Sequence, residues 1–224
     1  MQIGKIELEG NTALAKDEIL QKLDTHIGGF LDSQTLEKDF DGLLTRYERS
    51  GYPFATISIE DITAYQEESA QKLKLVLQID EGQKIQIDEI HVTGNKETSE
   101  HVIVREAGIR TGEVYNQNRI DKIPQRLNRM NIFSRVNEPE FYVNKSGSGG
   151  LVIGVQEGTT NTFDGVVGYV PSATTGENGY LTGLVNVSMK NLFGTARKLG
   201  VHWQRDDRNS QELAVRYEIG RAHV

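Results

Sequence analysis

The phrase Ile6-Glu7-Leu8-Glu9-Gly10-Asn11 returns 84 residues later as Ile90-His91-Val92-Thr93-Gly94-Asn95. This repetition constrains the chain more than its composition does. Each copy must be a supersecondary unit that buries its own small core. In both copies apolar positions alternate until Gly-Asn breaks the run, the pattern of a strand closed by a turn.

The match continues beyond each phrase. In the first copy, Lys16 to Leu23 sets Ile19, Leu20 and Leu23 at helical spacing, and Gly28-Gly29 breaks the run. Asp32 or Ser33 then caps a longer helix whose core face is Leu36, Phe40, Leu43, Leu44 and Tyr47. Gly51 stops it. Thr56 to Ile59 and Leu73 to Ile79 alternate as a hairpin. In the second copy, Ser99 opens a helix with Val102, Ile103 and Ala107, broken by Gly108 and Gly112. Asn116 caps a second helix with Ile120, Ile123, Leu127 and Met130 inward. Pro124 falls inside it and is expected to kink it. Phe133 to Val143 and Leu151 to Gln156 form the hairpin, joined by the glycine-rich loop 144–150. Each unit reads β-α-α-β-β, two helices covering one face of a three-stranded sheet.

Residues 159–218 lose helical periodicity. Phe163, Gly165, Val167 and Tyr169 share one strand face. Leu181, Gly183, Val185, Val187 and Met189 share another, then Leu199, Val201 and Trp203, then Leu213, Val215 and Tyr217. Pro171 to Gly179 is a polar loop. Four strands of roughly ten residues, each with one apolar and one polar face, suit a transmembrane β-barrel; the alternative is a soluble meander.

Composition excludes several classes. Of 224 residues, 37% are hydrophobic and 25% charged, too apolar for a disordered chain. No apolar run is long enough for a transmembrane helix. There is no cysteine, so neither disulfides nor thiolate chemistry is available. Residues 1–82 carry 8 Lys/Arg against 16 Asp/Glu, which argues against nucleic acid. Met1 to Lys5 runs straight into a strand pattern with no signal-peptide succession. The expectation is a cytosolic protein or a fragment lacking its true N-terminus. The five histidines have no ligand spacing, and no nucleophile elbow, phosphate loop or zinc-protease motif occurs. No enzyme activity, cofactor or metal is expected.

The repeat phrases together resemble POTRA (polypeptide-transport-associated) domains. They are Gly10-Asn11, Gly51-Tyr52-Pro53-Phe54 and Asp80-Glu81-Gly82 in the first copy. In the second they are Gly94-Asn95, the variant Asn131-Ile132-Phe133-Ser134, and Glu157-Gly158. Asn191-Leu192-Phe193-Gly194-Thr195 is similar to the periplasmic turn after the second barrel strand in BamA- and TamA-like proteins, where glycine often stands at the position of Ala196. The resemblance implies an α+β fold: POTRA domains at 1–82 and 83–158, then at 159–218 the opening strands of a truncated 16-stranded barrel. Four strands cannot close a barrel, so truncation is expected. Ile219 to Val224 resembles the translation of a sequencing adapter and reads as a non-native tail.

The same resemblance implies an outer-membrane assembly factor with periplasmic POTRA domains, working through backbone. Unfolded outer-membrane or secreted polypeptides would add a strand along Thr56, Ile57, Ser58, Ile59 and Glu60. A second edge would be Arg135, Val136 and Asn137, weakened by Pro139. Phe163, Gly165, Val167, Gly168 and Tyr169 would form the barrel seam, and Asn191, Leu192, Phe193 and Gly194 the periplasmic turn. Membrane lipid and periplasmic accessory proteins are the other implied partners. The alternatives are a transporter dedicated to one secreted partner and a soluble periplasmic scaffold.

Overall fold

The computed structural model describes residues 1–67, 70–172 and 178–219. Part of the polar loop expected at Pro171 to Gly179, and all but Ile219 of the expected tail, lie outside the described residues.

The first repeat comprises β1 (Gln2–Glu9), α1 (Lys16–Leu20), α2 (Ser33–Arg49), β2 (Thr56–Glu67) and β3 (Ala70–Asp80). β3 is the middle strand: β1 lies parallel on one side and β2 antiparallel on the other. Ile3, Ile6 and Leu8 from β1 and Leu75, Leu77 and Ile79 from β3 bury with Ile19, Leu36, Leu43 and Tyr47 from the helices. Period two on the strands meets period 3.6 on α2, so one face of each goes inward. Asp32, not Ser33, is the cap of α2: its carboxylate accepts from the Thr35 backbone N–H at 2.8 Å.

The second repeat comprises β4 (Gln86–Thr93), α3 (Glu100–Ala107), β5 (Glu113–Val114), α4 (Gln117–Ile120), α5 (Ile123–Asn128), β6 (Phe133–Val136), β7 (Glu140–Val143) and β8 (Gly149–Glu157). The sheet runs β5-β4-β8-β6, and β7 also pairs with β8. Two expectations need correction. The second helix is two short ones, with Pro124 in the first turn of α5. There its missing N–H has no helical partner to lose, so the chain restarts instead of kinking. The single strand expected over Phe133 to Val143 is also two, parted at Asn137-Glu138-Pro139. Proline cannot donate to the ladder and falls in the gap. In place of Gly51, which has φ +102°, the second repeat puts Asn131 at φ +56°; asparagine is among the few side chains that accept this region.

Packing divides the chain into two compact units. One holds Met1–Glu89, Thr111–Ile120 and Tyr142–Gly150; the other holds Ile90–Arg110, Asp121–Phe141 and Leu151 onward.

The repeated phrases meet in space. Gly10 and Gly94 turn the chain at φ +81° and +83°. A Cβ on Gly10 would run into the Ile79 carbonyl oxygen, and one on Gly94 into that of Val155. Only glycine fits. The loop beyond each is then capped from the end of the repeat. Glu81 accepts from the backbone N–H groups of Thr12 (2.7 Å) and Ala13 (2.8 Å), and from the hydroxyls of Thr12 and Tyr47. Glu157 accepts from the N–H groups of Lys96 (3.0 Å), Glu97 (3.0 Å) and Thr98 (2.6 Å). The Asn11 amide donates to Leu14 O at 3.0 Å, and the Asn95 amide to Thr98 O at 2.9 Å, closing the two turns alike. Gly-Asn and Glu-Gly are therefore two halves of one joint.

Both capping carboxyls lie below the ordinary glutamate pKa. Burial pushes each upward, but hydrogen bonds outweigh it: from Thr12, Ala13 and Tyr47 onto Glu81, and from Thr98, Glu97 and Lys96 onto Glu157. A depressed folded-state pKa adds stability that is present above the unfolded value and lost as pH falls through the folded one. The melting temperature should hold near neutral pH and drop below about pH 4.5, the ordinary glutamate value. Glu81→Gln should lower stability at pH 7 and flatten the acid slope. A variant that keeps the wild-type slope would remove Glu81 as its source.

Candidate functional site: sheet edges and the turn beneath the last sheet

A strand edge presents unpaired N–H and C=O groups, so each edge is a potential docking site. The outer side of β1 is met by the chain at 28–30: Ile3 N–H donates to Gly29 O at 2.8 Å, and Gly28 N–H to Ile3 O at 2.7 Å. The outer side of β4 is met by β5. These contacts cover only the first residues of β1 and β4; β2, the other outer strand of the first sheet, and the β6–β7 pair of the second are the edges that carry the residues expected to bind.

The expected edge residues Thr56, Ile57, Ser58 and Ile59 pair on their inner side with Asp80, Ile79, Gln78 and Leu77. The register slips between Ile59 and Asp61, so Glu60 sits in a bulge and does not pair. Ile57, Ile59 and Ile62 fall opposite Ile79, Leu77 and Leu75, on the face that carries the helices. Yet Ile59 and Ile62 are 44% and 45% exposed. Ile57 still packs on the core under the helices, but Ile59 and Ile62 lie beyond their cover, and an apolar strip is left beside the open backbone. Strict alternation from Thr56 passes over Ile62, because the bulge shifts the phase by one; the isoleucine spacing across that bulge is the signal that finds it.

On the second edge Arg135 and Val136 pair with Gln156 and Val155. Asn137 lies past the end of β6 but donates its N–H to Gly154 O at 2.9 Å. This edge is short and interrupted at Pro139.

The third sheet is an antiparallel meander of β9 (Asn161–Val170), β10 (Tyr180–Leu192), β11 (Arg197–Arg205) and β12 (Gln211–Glu218). Its register lines up the faces read from the sequence. Phe163, Val187, Val201 and Val215 form one row, and Gly165, Val185, Trp203 and Leu213 the next. The opposite face carries the row Thr162, Ser188, Gly200 and Arg216, then Asp164, Asn186, His202 and Ala214. His202 Nδ1 lies 2.6 Å from Asn186 Oδ1. The apolar face is bare: Phe163 is 73% exposed and Leu213 63%. Water is a poor solvent for such a continuous patch. Val167 and Tyr169 stand on that apolar face of β9 opposite Gly183 and Leu181, while Gly168 lies across from Thr182. β9 and β12 are the outer strands.

The turn between β10 and β11 is bound from below. Asn191 donates to Thr98 Oγ1 at 2.9 Å and accepts from Ala196 N–H at 2.9 Å. Gly194 O accepts from Ser99 N–H at 3.0 Å. Ala196 packs on Val102 and Ile132. Leu192 O accepts from the Thr195 hydroxyl at 2.7 Å, and Phe193 is left exposed. Ala196 has φ +58°, so the position at which the resemblance carries glycine has a conformation that favours glycine. Of the four residues expected in the turn, Asn191 and Leu192 end β10, and Phe193 and Gly194 lie in the turn itself. Their partner, the Glu157-capped loop of Glu97, Thr98 and Ser99, is not legible in the sequence, because Thr98 and Asn191 are 93 positions apart.

The family model for POTRA (surface antigen variable number repeat) matches residues 1–82 and 85–158. The chain belongs to this family, and with its relatives to the BamA/Omp85-like superfamily. It is 26% identical over 207 residues to the outer membrane protein assembly factor BamA of Neisseria meningitidis, covering 90% of this chain and 24% of that one. It is 27% identical over 199 residues to BamA of Nitratidesulfovibrio vulgaris, covering 86% and 24%. The chain thus spans about a quarter of the length of these relatives. In fold it is similar to BamA from Haemophilus ducreyi lacking POTRA domains 1–3, at TM-score 0.63 and 20% identity, covering 97% of this chain and 39% of that one. CdiB from Escherichia coli is similar at TM-score 0.53 and 17% identity, covering 99% and 40%.

Asn191→Ala should leave the Ala196 N–H and the Thr98 hydroxyl without this partner at a buried site. A loss of roughly 1–3 kcal/mol is expected. Hydrogen exchange should rise at residues 95–99 and 191–197 together. A rise confined to the turn would mean that the two segments do not support one another.

Proposed function

We propose that this chain is the periplasmic base and opening barrel strands of an outer-membrane protein that assembles or exports other polypeptides. One observation carries the reading. Two POTRA repeats lead into an antiparallel sheet whose strands have the length of membrane-crossing ones and whose exposed face is a continuous apolar surface. Such a face is stable when it looks into lipid, with the Thr162–Arg216 face turned to water. Relatives named as outer membrane protein assembly factors support the same reading.

The client would be held by backbone. An extended segment adds antiparallel or parallel to β2, where N–H and C=O groups are open over twelve residues. Ile59 and Ile62 supply apolar contacts beside it. Main-chain bonding is tolerant of sequence, which suits unfolded outer-membrane clients of many kinds. β6 is a poorer edge, because it is four residues long and ends at the Pro139 gap. Within the barrel, β9 would close against the last strand of the longer protein. Gly165 and Gly168 offer no side chains there, so that seam packs weakly and can open. Locking the β9 seam by disulfide in the longer protein should stop assembly; unchanged assembly would remove the seam from the mechanism.

Capture by β2 can be tested in the full-length gene product with a urea-unfolded outer-membrane barrel protein as probe. Ile59→Asp with Ile62→Asp should weaken binding about tenfold or more, since each loses roughly a kcal/mol of apolar contact. Equal binding would exclude this edge. In lipid vesicles, spin labels at Leu213 and Val215 should report dissolved oxygen, and labels at Ala214 and Arg216 a water-soluble nickel complex. Equal accessibility at all four would place the sheet outside the membrane.

A further inference from the structure

The turn that joins β10 to β11 holds a residue that its geometry does not favour. Thr195 N–H donates to Leu192 O at 3.2 Å, and the two residues between them, Phe193 and Gly194, have φ +55° and +70°. A hairpin turn with both central residues at positive φ takes asparagine, aspartate or glycine first and glycine second. Gly194 meets that demand, and a Cβ there would run into the Glu97 carbonyl oxygen. Phe193 does not, because a bulky side chain in this region is an outlier. Burial does not compensate for it: Phe193 is 90% exposed, more than any other large hydrophobic residue among those described.

The neighbours of the ring define what it meets. Leu192 pairs with Arg197 across the turn, and Arg197 donates to the Tyr217 hydroxyl at 3.3 Å. Tyr217 stands opposite Leu199, and Leu199 opposite Met189, in the row of the apolar face nearest the turn. At this end, then, the apolar face finishes in a tyrosine whose hydroxyl is bonded to a guanidinium. Side chains with an apolar body and a polar tip suit the boundary between acyl chains and headgroups. Phe193 stands just past that boundary pair.

We propose that Phe193 is a membrane anchor, whose ring enters the headgroup boundary of the bilayer beside Arg197 and Tyr217. The anchor rests on the reading of this sheet as membrane-crossing. The same turn is gripped by protein elsewhere, through Asn191 on Thr98 and Gly194 on Ser99. Held by lipid at Phe193 and by the capped loop at Asn191 and Gly194, the turn fixes the distance of that loop from the membrane surface.

The test uses the full-length gene product in vesicles of phosphatidylethanolamine and phosphatidylglycerol, with p-benzoylphenylalanine placed singly at Phe193 and at Val201. Val201 lies within the apolar face, so its crosslink reads the sheet alone. Irradiation should attach phospholipid at both positions. Lipid at Val201 with none at Phe193, or a crosslink from Phe193 to polypeptide, overturns the anchor and leaves the sheet in the membrane. No lipid at either position overturns the membrane reading, and the anchor with it. Substitutions give a second readout, because turn geometry and lipid contact rank side chains in opposite order. Phe193→Asn relieves the backbone but loses the ring, and should lower the folded-to-unfolded ratio of vesicle-bound protein in urea about fivefold. Phe193→Trp should match the wild-type chain. Equal or greater stability of Phe193→Asn, or a loss from Phe193→Trp as large as the asparagine loss, overturns the anchor.

Discussion

A carboxylate at the end of each repeat holds the structure together. Glu81 and Glu157 reach back to the loop after the first strand and satisfy backbone N–H groups that no strand or helix serves. A charged acceptor makes such bonds stronger than neutral ones. The arrangement works only because glycine lets the loop pass close to the carbonyl two residues before the glutamate. It ties the first strand to the third, so the sheet and the helix above it keep one register. In the first repeat Tyr47 joins in. Its burial and the neighbouring Glu81 push its hydroxyl pKa up, and it stays a donor.

In the second repeat the same cap has a further consequence. The loop it shapes is the one that accepts the β10–β11 turn. Ser99 offers its N–H to Gly194, and Thr98 offers its hydroxyl oxygen to the Asn191 amide. A joint that closes a small α+β unit thus also sets the position of a sheet with an apolar face.

The edges follow from the same constraint. Three strands cannot cover both sides of their own sheet. The 28–30 segment and β5 cover the start of each first strand, and nothing among the described residues pairs with the outer side of β2. A bulge at Glu60 twists this edge, and exposed isoleucines flank it. Proteins blunt such edges with bulges, charges, lysine or proline, and β2 has the bulge and carboxylates. It contains no lysine or proline. In the second repeat Pro139 falls on the corresponding edge and breaks it in two.

The sequence by itself determined the repeat, the order of strands and helices, and the alternating faces of β9 to β12. These rest on short-range periodicity, which backbone geometry reads directly. It also marked Gly-Asn and Glu-Gly as recurring phrases of each repeat. Tertiary structure decided what periodicity cannot encode. It joined residues 69 positions apart in the first repeat, and 61 in the second, into one cap. It split the second helix ahead of Pro124 and the second hairpin arm at Pro139. It left Ile59 and Ile62 uncovered, though they lie on the core face, and it seated Asn191 on Thr98. Each of these depends on which distant groups come within hydrogen-bonding or packing distance once the core has formed.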